Sequence, residues 1–384
     1  MTFLARQITT SIQKIITQYP IVAVTGPRQS GKTTLLQSMF PTYRYVSLEN
    51  TDMRSFAKDD PAGFIKRYDS RIIFDEVQRV PELFSYLQTA VDASGLMGQF
   101  ILSGSQNFHL MQRITQTLAG RVALFKLLPF DFQELRAANL LPDDWQTLLV
   151  RGFYPAVYDR GIDPAVFYAN YLQTYVERDV TDLLKVHDMR LFRNFIGLCA
   201  TRIGQLLNVA NLANECGISQ PTAKAWLSIL ESSYIVFQVQ PYYENFSKRI
   251  VKTSKLYFYD VGLVSFLLGI RQEEELNNPA LLGSLFENLI MAEIFKKNHH
   301  QYLLRDYWFW RDSNGHEVDL LTKRGLSLAI FEIKSTQTIL PPLFKGMDYF
   351  ASLAGNTVST KTLIYGGMES QDRTHYQVRA WHDV

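Results

Sequence analysis

The chain has 384 residues, a formal net charge of +2 and 47% hydrophobic residues, with 20 Tyr and 25 Phe. This length is too great for one hydrophobic core and predicts about two to four compact units. The small net charge excludes a general attraction to nucleic acid, so such binding would need a local basic patch. The two cysteines, Cys199 and Cys216, exclude a disulfide framework and a zinc-ligand spacing, and they fit a reducing compartment.

The sequence also lacks the usual signs of membrane insertion and secretion. Its first residues contain no apolar core of a signal peptide, and no uninterrupted apolar run approaches membrane-spanning length. We therefore expect a cytoplasmic protein that does not act in a membrane.

The most specific motif lies at residues 26–33, where the sequence is Gly-Pro-Arg-Gln-Ser-Gly-Lys-Thr. A strand-like run at 21–24 precedes it and a helix-like stretch at 32–39 follows, which is the context of a phosphate-binding loop. Glycines let backbone N–H groups converge on phosphates, and the start of the helix adds its positive dipole end. The predicted nucleotide-binding residues of this loop are Gly26, Pro27, Arg28, Gln29, Ser30, Gly31, Lys32, Thr33 and Thr34.

Two acids are predicted to complete this site, at the end of the apolar strand of residues 71–76. We expect Thr33 to bind Mg²⁺ with its hydroxyl and Asp75 to hold it through water, while Lys32 contacts the β- and γ-phosphates. Glu76 is expected to polarise the attacking water. ATP and Mg²⁺ are thus the predicted cofactors, and Lys32 and Glu76 are predicted to be catalytic.

A further strand, within residues 99–107, runs into small polar residues. In open α/β sheets the carboxyl ends of the strands face the ligand. Ser105, Gln106 or Asn107 is therefore a candidate for contact with the γ-phosphate or the attacking water. An ordinary helix cap is the alternative, and the two roles are compatible.

A helix-like segment at 108–119 and a strand at 122–128 come next, joined by Gly120 and Arg121. Here the chain resembles the AAA-type ATPases, in which an arginine after this helix reaches the nucleotide of a neighbouring subunit. The resemblance implies that Arg121 is catalytic and that the protein is a homo-oligomer, for which a ring is one form. As alternatives, Arg121 only stabilises the end of a helix, or Arg178 is the finger, a second sensor or an ion-paired structural residue.

The pattern of elements divides the first half of the chain into two parts. Alternating strands and helices predict an α/β domain with a parallel sheet, a P-loop AAA-type ATPase core, at residues 1–140. The pattern turns helical after the break at residues 142–144. We predict a helical lid over the nucleotide at residues 141–203, with a linker bundle as the alternative.

Residues 204–270 are predicted to form a winged helix. Gly217 supplies a tight turn between two helix-like segments, and strands follow at 234–240 and 255–259. The second helix, residues 220–232, carries Lys224 as its one cation, so base-specific reading of DNA is not expected. Contact with the DNA backbone is one alternative, and a packing or protein-contact role is the other. The cations of the hairpin are Lys248, Arg249, Lys252 and Lys255.

The last range, residues 271–384, contains acids in a pattern that favours a metal site. Glu287 lies on a predicted helix, whereas Asp319 and Glu332 lie on two strands that we expect to join by a turn at residues 323–325. Lys334 shares one strand face with Glu332, because side chains alternate along a strand. Two carboxylates beside a lysine, with Glu287 arriving from the helix, would bind Mg²⁺ and activate water.

This order of residues resembles the PD-(D/E)XK nuclease superfamily, in which a helix and three strands place acids and a lysine around one or two metals. The resemblance implies that Asp319 and Glu332 bind a second Mg²⁺ or a Mn²⁺, that Lys334 assists the nucleophile or stabilises charge, and that Glu287 completes the shell. Val318 stands where the motif has proline. The alternatives are an exposed charge pair on a strand and a nuclease-like fold that has lost catalysis.

Nearly the whole chain resembles a family of predicted ATPases of bacteria and archaea, which join an AAA-type domain to a C-terminal domain of unknown function. The matching segments are the phosphate loop and residues 47–49, 75–78, 118–121, 154–155, 177–179 and 332–334. Three hypotheses follow. The protein is an Mg²⁺-dependent ATPase that moves its appended domains, an ATP-gated DNA nuclease, or a nucleotide-controlled switch that binds DNA or a protein partner.

Overall fold

The computed structural model describes residues 4–105, 116–176, 189–243 and 252–384. Five parallel strands form the sheet of its N-terminal domain: β1 (Ile21–Thr25), β2 (Arg44–Ser47), β3 (Ile72–Asp75), β4 (Phe100–Gly104) and β5 (Val122–Lys126). Their order across the sheet is β2–β3–β4–β1–β5, so β1 lies between β4 and β5. The predicted α/β domain with a parallel sheet is therefore confirmed.

Helices cover both faces of this sheet, because each parallel connection must cross from one end of the sheet to the other. The helices are α1 (Ile8–Ile15), α2 (Lys32–Met39), α3 (Thr51–Asp59), α4 (Pro61–Arg67) and α5 (Leu83–Ser94). Ile21 and Ala23 of β1 enter the core beneath α3, α4 and α5. Val22 and Val24 enter the core beneath α1 and α2. Because its side chains enter both cores in turn, β1 is completely buried.

The next part of the chain is helical: α6 (Phe132–Ala137), α7 (Trp145–Arg151), α8 (Pro155–Asp159), α9 (Pro164–Tyr171) and α10 (Met189–Ala200). Capping side chains set where the helices begin. Asp131 and Glu134 form a capping box at α6, and Asp144 caps α7. A π-helical segment, Leu172–Val176, follows α9. Residues 177–188 of the predicted lid lie outside the described residues.

The elements predicted for residues 204–270 are present where they are described. Helix α11 (Val209–Cys216) leads through Gly217, whose φ of 72° is left-handed, into α12 (Gln220–Ser232), which Ser219 caps. Strands β6 (Val236–Pro241) and β7 (Lys255–Phe258) then pair antiparallel. Lys248 and Arg249 of the hairpin loop lie outside the described residues. The assignment of these elements as a winged helix stays a prediction.

A second, mixed sheet occupies the C-terminal part. Its strands are β8 (Tyr307–Arg311), β9 (Glu317–Arg324), β10 (Ser327–Lys334), β11 (Val358–Tyr365), β12 (Gln371–Asp372) and β13 (Gln377–Ala380). The order is β12–β13–β11–β10–β9–β8–β6–β7, because β6 pairs in parallel with β8. The sheet therefore continues across residue 270, where the sequence suggested a boundary between two units.

The turn between β9 and β10 differs from the predicted one. Arg324 still pairs with Ser327 in the antiparallel ladder, so Gly325 and Leu326 alone form the turn. Gly325 has a φ of 63°, which glycine adopts without steric cost. The longer strands result from this two-residue connection, which suits an antiparallel hairpin.

Three further helices pack around this sheet: α13 (Val261–Leu267), α14 (Pro279–His300) and α15 (Lys345–Ala354). Helix α14 has 22 residues and contacts α1 and β5 of the N-terminal domain as well as β7 and β10. Helix α15 lies so close to β9 that a Cβ atom on Gly346 would be 2.3 Å from the Glu317 carbonyl oxygen. Both helices therefore position the acids of the second sheet.

Candidate functional site

The phosphate loop begins directly after β1, at the carboxyl end of the parallel sheet. Gly26 lies against the backbone directly after β5, since a Cβ atom at this position would be 2.1 Å from the Leu127 carbonyl oxygen. Gly31 has a φ of 91° and comes immediately before α2. Both glycines are thus required by the backbone, which turns the loop's N–H groups and the start of α2 toward one space.

Lys32 is the first residue of α2 and is 7% exposed. Its ammonium group donates hydrogen bonds to the Gly26 carbonyl at 2.9 Å and the Pro27 carbonyl at 2.7 Å. The charge is therefore held over the loop, at the centre of the predicted phosphate site.

The predicted magnesium-binding groups contact each other. The Thr33 hydroxyl donates to Oδ2 of Asp75 at 2.9 Å, and the Tyr45 hydroxyl donates to the same oxygen at 2.6 Å. Burial and the hydrogen bond to Asp75 raise the pKa of Tyr45. A hydroxyl and a carboxylate at this distance are the hard oxygen donors that Mg²⁺ prefers, so the residues present fit the ion.

Glu76 follows β3 in a left-handed conformation, with a φ of 54°. Its Oε2 atom accepts hydrogen bonds from the Ser105 hydroxyl at 3.2 Å and from the Gln78 amide. A left-handed conformation is uncommon outside glycine and is frequent at functional sites. Ser105 is the described member of the predicted polar trio, and Gln106 and Asn107 lie outside the described residues.

A single cavity of about 360 Å³ is lined by the predicted site residues Lys32, Thr33, Asp75, Glu76 and Ser105. Five residues that sequence reasoning did not assign to the site also line it: Glu49, Pro155, Ala156, Asp159 and Arg160. The last four come from α8 and the residue after it, so the predicted lid region forms one wall of the cavity. No motif marks Arg160, and the only local signal was the charged pair at the end of a proline-initiated helix.

Arg6 supports the loop from behind and was also missed. Its guanidinium donates to the Ser30 carbonyl at 2.8 Å and the Leu128 carbonyl at 2.6 Å, and it pairs with Glu134 at 3.0 Å. All these groups are buried, so water does not compete for these hydrogen bonds and the local low dielectric strengthens them. Arg6 precedes the motif by 20 residues and belongs to no recognisable pattern, which is why sequence reasoning did not find it.

A buried polar cluster continues from Arg6 toward α14. Asp131, Glu134 and His300 lie close enough to suggest a metal site. Their atoms already serve protein hydrogen bonds, because His300 Nδ1 contacts Asp131 at 2.7 Å and His300 Nε2 accepts the Leu128 N–H at 3.2 Å. We therefore interpret this cluster as a structural connection between α6 and α14.

Arg121 lies far from this chain's own phosphate loop. Its carbonyl accepts the Ile21 N–H at 3.1 Å, at the amino end of β1, whereas the loop begins at the carboxyl end. The 5 residues of β1 separate the two by about 16 Å. The guanidinium forms a two-bond ion pair with Asp92, at 2.6 and 2.8 Å. Arg121 therefore does not line the cavity that contains the phosphate loop. The rival Arg178 lies outside the described residues.

The second candidate site is a cavity of about 560 Å³ beside the C-terminal sheet. All four residues of the predicted metal site line it: Glu287 from α14, Asp319 from β9, and Glu332 and Lys334 from β10. The Lys334 ammonium contacts Glu332 at 2.7 Å and Asp319 at 3.2 Å. Asp319 also accepts the Ile333 N–H at 2.8 Å, which connects the two strands.

The charges in this cavity influence one another strongly. Burial and repulsion from Asp319 raise the pKa of Glu332 to about 8. Burial also opposes ionisation of Asp319, yet Lys334 and Lys255 outweigh it and lower the pKa of Asp319. Within the described part of the chain, Glu332 Oε2 is buried and accepts no hydrogen bond. This carboxylate oxygen could therefore serve as a ligand of a metal ion.

Three charged residues of this cavity escaped the sequence prediction: Lys255, Arg311 and Glu317. Lys255 comes from β7 and contacts Glu287 at 3.1 Å, and it also pairs with Glu317. Burial disfavours the Lys255 ammonium, but Glu287 leads the nearby acids that raise its pKa. The alternation of β9 could have indicated Glu317, two residues before Asp319, whereas no local signal linked Lys255 to the site.

No helix in the four described ranges is long and apolar enough to cross a membrane.

Comparison with family models divides the chain into three matched segments. Residues 18–136 match the model of an AAA domain. This segment of the chain contains the phosphate loop and both acids of the first site, Asp75 and Glu76. Residues 142–274 match a domain of unknown function, DUF8612, and residues 282–382 match another, DUF4143. The expectation of an AAA-type, ATP-binding domain joined to a C-terminal domain of unknown function is thereby confirmed.

Two mycobacterial proteins resemble this chain over most of its length. The uncharacterized proteins Rv2008c of Mycobacterium tuberculosis and Mb2031c of Mycobacterium bovis are each 28% identical over 361 residues. The match covers 93% of this chain and 78% of each relative. Among solved structures, the Walker-type ATPase PABY2304 of Pyrococcus abyssi is 14% identical with a TM-score of 0.46, and the match covers 69% of this chain and 96% of that one.

Proposed function

We propose that the protein is an Mg²⁺-dependent ATPase whose nucleotide state controls its C-terminal modules. One observation carries this proposal: Lys32, Thr33, Asp75 and Glu76 line a single cavity at the carboxyl end of β1. The match of residues 18–136 to an AAA domain supports it. Cleavage of a phosphoanhydride needs a cation at the phosphates, ligands for Mg²⁺ and a base for the attacking water. The four side chains of this cavity supply these three functions.

In this proposal each side chain acts on a defined part of the substrate. The Lys32 ammonium exchanges its two carbonyl acceptors for oxygens of the β- and γ-phosphates. Glu76 orients the attacking water and takes up its proton, and Ser105 and Gln78 hold the carboxylate in place. Thr33 and Asp75 hold Mg²⁺, which neutralises the phosphate charge when bound.

ATP turnover under steady-state conditions tests this proposal. We expect Lys32→Ala to lose ATP binding and turnover, because it removes the charge at the phosphates. Glu76→Gln should bind ATP but lower kcat by at least about a hundredfold. Glu82→Gln, an exposed acid outside the cavity, is the matched control. Unchanged turnover in both Lys32→Ala and Glu76→Gln would refute the proposal.

We further infer that Arg121 acts on the ATP of a neighbouring subunit in a homo-oligomer. Its position at the amino end of β1 supports an action between subunits. Mixing two inactive variants tests this: Lys32→Ala supplies an intact Arg121 to the intact site of Arg121→Ala. Partial recovery of turnover is expected for this pair. Lys32→Ala mixed with Glu76→Gln should stay inactive, because both defects lie in the same site.

A second candidate function is metal-dependent cleavage of DNA in the cavity beside β9 and β10. The meeting of Glu287, Asp319, Glu332 and Lys334 favours it, as does the unsatisfied oxygen of Glu332. These residues would hold Mg²⁺ or Mn²⁺ in a PD-(D/E)XK-like arrangement, while α11, α12 and the β6–β7 hairpin would contact DNA as a winged helix. Incubation with linear and single-stranded DNA and Mn²⁺ tests this, and cleavage that survives Glu332→Ala would exclude the site.

If the second cavity does not cleave DNA, the C-terminal modules would serve as a recognition unit for DNA or a protein partner. The low charge of α12, with Lys224 as its one cation, favours a protein partner. Nucleotide-dependent binding without cleavage is the expected behaviour of such a switch.

A further inference from the structure

Lys255 reaches the second cavity from an element outside the strands that carry its acids. It lies on β7, next to the chain segment that precedes α11. Backbone hydrogen bonds fix β7 there, from Gly204 N–H to the Leu256 carbonyl at 2.9 Å and from Leu207 N–H to the Ser254 carbonyl at 2.8 Å. The backbone of β7 is therefore held by the segment before α11 and, through the Phe258 N–H to Asn288 hydrogen bond at 2.8 Å, by α14.

The ammonium group is buried among carboxylates. The Lys255 side chain is 3% exposed, contacts Glu287 at 3.1 Å and also pairs with Glu317. The Tyr257 hydroxyl donates to the same Glu287 oxygen at 2.6 Å. A charged amine is rarely buried to this extent without full compensation, so these acids form its binding site.

A divalent ion needs the same oxygens and the same negative potential. With Lys255 and Lys334 in place, two ammonium groups already contact Glu287, Glu317, Asp319 and Glu332. A metal ion placed among these acids would lie close to both positive charges, and the repulsion is strong in a buried site. The unsatisfied Glu332 oxygen still gives the ion one available ligand.

We propose that Lys255 is the resident cation of this cavity and competes with a divalent metal ion for its carboxylates. Metal entry then requires the Lys255 ammonium to leave the carboxylates of Glu287 and Glu317. The metal affinity of the C-terminal site therefore depends on a side chain of the preceding module, because Lys255 lies on β7. The inference rests on the second candidate function only in taking the cavity to be a metal site.

Mn²⁺ binding to the full chain without nucleotide, followed by electron paramagnetic resonance, tests the proposal. We expect Lys255→Met to bind Mn²⁺ at least about tenfold more tightly than the wild type. Adding Glu332→Ala to Lys255→Met should abolish this gain, which assigns it to the second cavity and not to Asp75. Lys252→Met removes an exposed lysine near β7 and should behave like the wild type.

Equal Mn²⁺ affinity of the wild type and Lys255→Met would overturn the proposal, and so would a complete lack of binding in both. If Lys255→Met does not fold, the double variant Lys255→Met, Glu317→Gln removes one acid with the cation and is measured in its place. Tight binding in Lys255→Met without DNA cleavage would support the competition and count against the nuclease function alone.

Discussion

The Asp75 carboxylate accepts two hydroxyl hydrogen bonds through the same oxygen atom, one from Thr33 and one from Tyr45. Thr33 belongs to the phosphate loop, whereas Tyr45 lies on the neighbouring strand β2. Loss of a side chain that orients a metal-binding acid typically lowers metal affinity or activity by about 10- to 100-fold. Tyr45 is therefore a positioning residue of the proposed ATP site.

Replacing Tyr45 with Phe tests this role at a single hydroxyl group. We expect Tyr45→Phe to raise the Mg²⁺ concentration for half-maximal ATP turnover by about tenfold, because Asp75 loses the donor that orients it. The kcat at saturating Mg²⁺ should change less than this concentration. Tyr86→Phe is the control, since Tyr86 is 40% exposed and lies outside the cavity. An unchanged Mg²⁺ requirement would contradict the assignment.

The contact between helix α15 and strand β9 depends on the absence of a side chain at Gly346. The helix approaches the Glu317 carbonyl so closely that a methyl group at this position would overlap with it. Glu317 and Asp319 both lie on β9, so this contact also supports the acids of the second cavity. Helix α10 offers a useful contrast, because among the described residues no other element comes within 4 Å of the place that a methyl group on Gly197 would occupy.

A matched pair of glycine substitutions follows from this contrast. Gly346→Ala should lower the free energy of unfolding by about 1–3 kcal/mol, because α15 must move away from β9. Gly197→Ala should leave it unchanged or raise it by up to about 1 kcal/mol, because alanine favours the helix. Urea denaturation followed by tryptophan fluorescence measures both. A loss of stability of the same size in both variants would argue against a specific role of Gly346.

At the scale of the whole molecule, α14 connects the two candidate sites. Its 22 residues span about 33 Å. Glu287, in its first half, lines the second cavity, and Lys296 near its end donates to the Phe130 carbonyl at 2.9 Å. His300 continues the contact to Asp131, and Arg6 completes the connection to the phosphate loop. In the proposed function, this helix would couple nucleotide state to the C-terminal cavity, because it has buried polar contacts toward both sites.

A substitution of Arg6 tests this connection. Arg6→Met should lower the free energy of unfolding by about 3–5 kcal/mol, because it leaves Glu134 buried without its guanidinium partner. It should also weaken ATP binding, because the Ser30 carbonyl loses its support. The double variant Arg6→Met, Glu134→Gln should recover part of the stability, since it removes the uncompensated charge.

Thermal unfolding and ATP titration of the three proteins provide these measurements. The idea fails if Arg6→Met unfolds at the wild-type temperature, or if the double variant is no more stable than the single one. A recovery of stability without recovery of ATP affinity would separate the charge effect from the support of the loop.

The sequence alone determined the phosphate loop, the parallel sheet and the strand that ends at Asp75, directly before Glu76, because these features depend on local patterns. Short motifs between a strand and a helix fix their own geometry, and side-chain alternation fixes which residues share a face. For the same reason the sequence indicated that Asp319, Glu332 and Lys334 lie on neighbouring strands.

Only the tertiary structure decided which distant side chains complete each site. Arg6 bonds to a carbonyl 122 residues away, and Lys255 pairs with an acid 32 residues later, and neither belongs to a motif. The structure also placed Arg121 at the amino end of β1, whereas the phosphate loop begins at its carboxyl end. Burial energies and charge compensation act between residues brought together by packing, so they leave no periodic pattern along the chain.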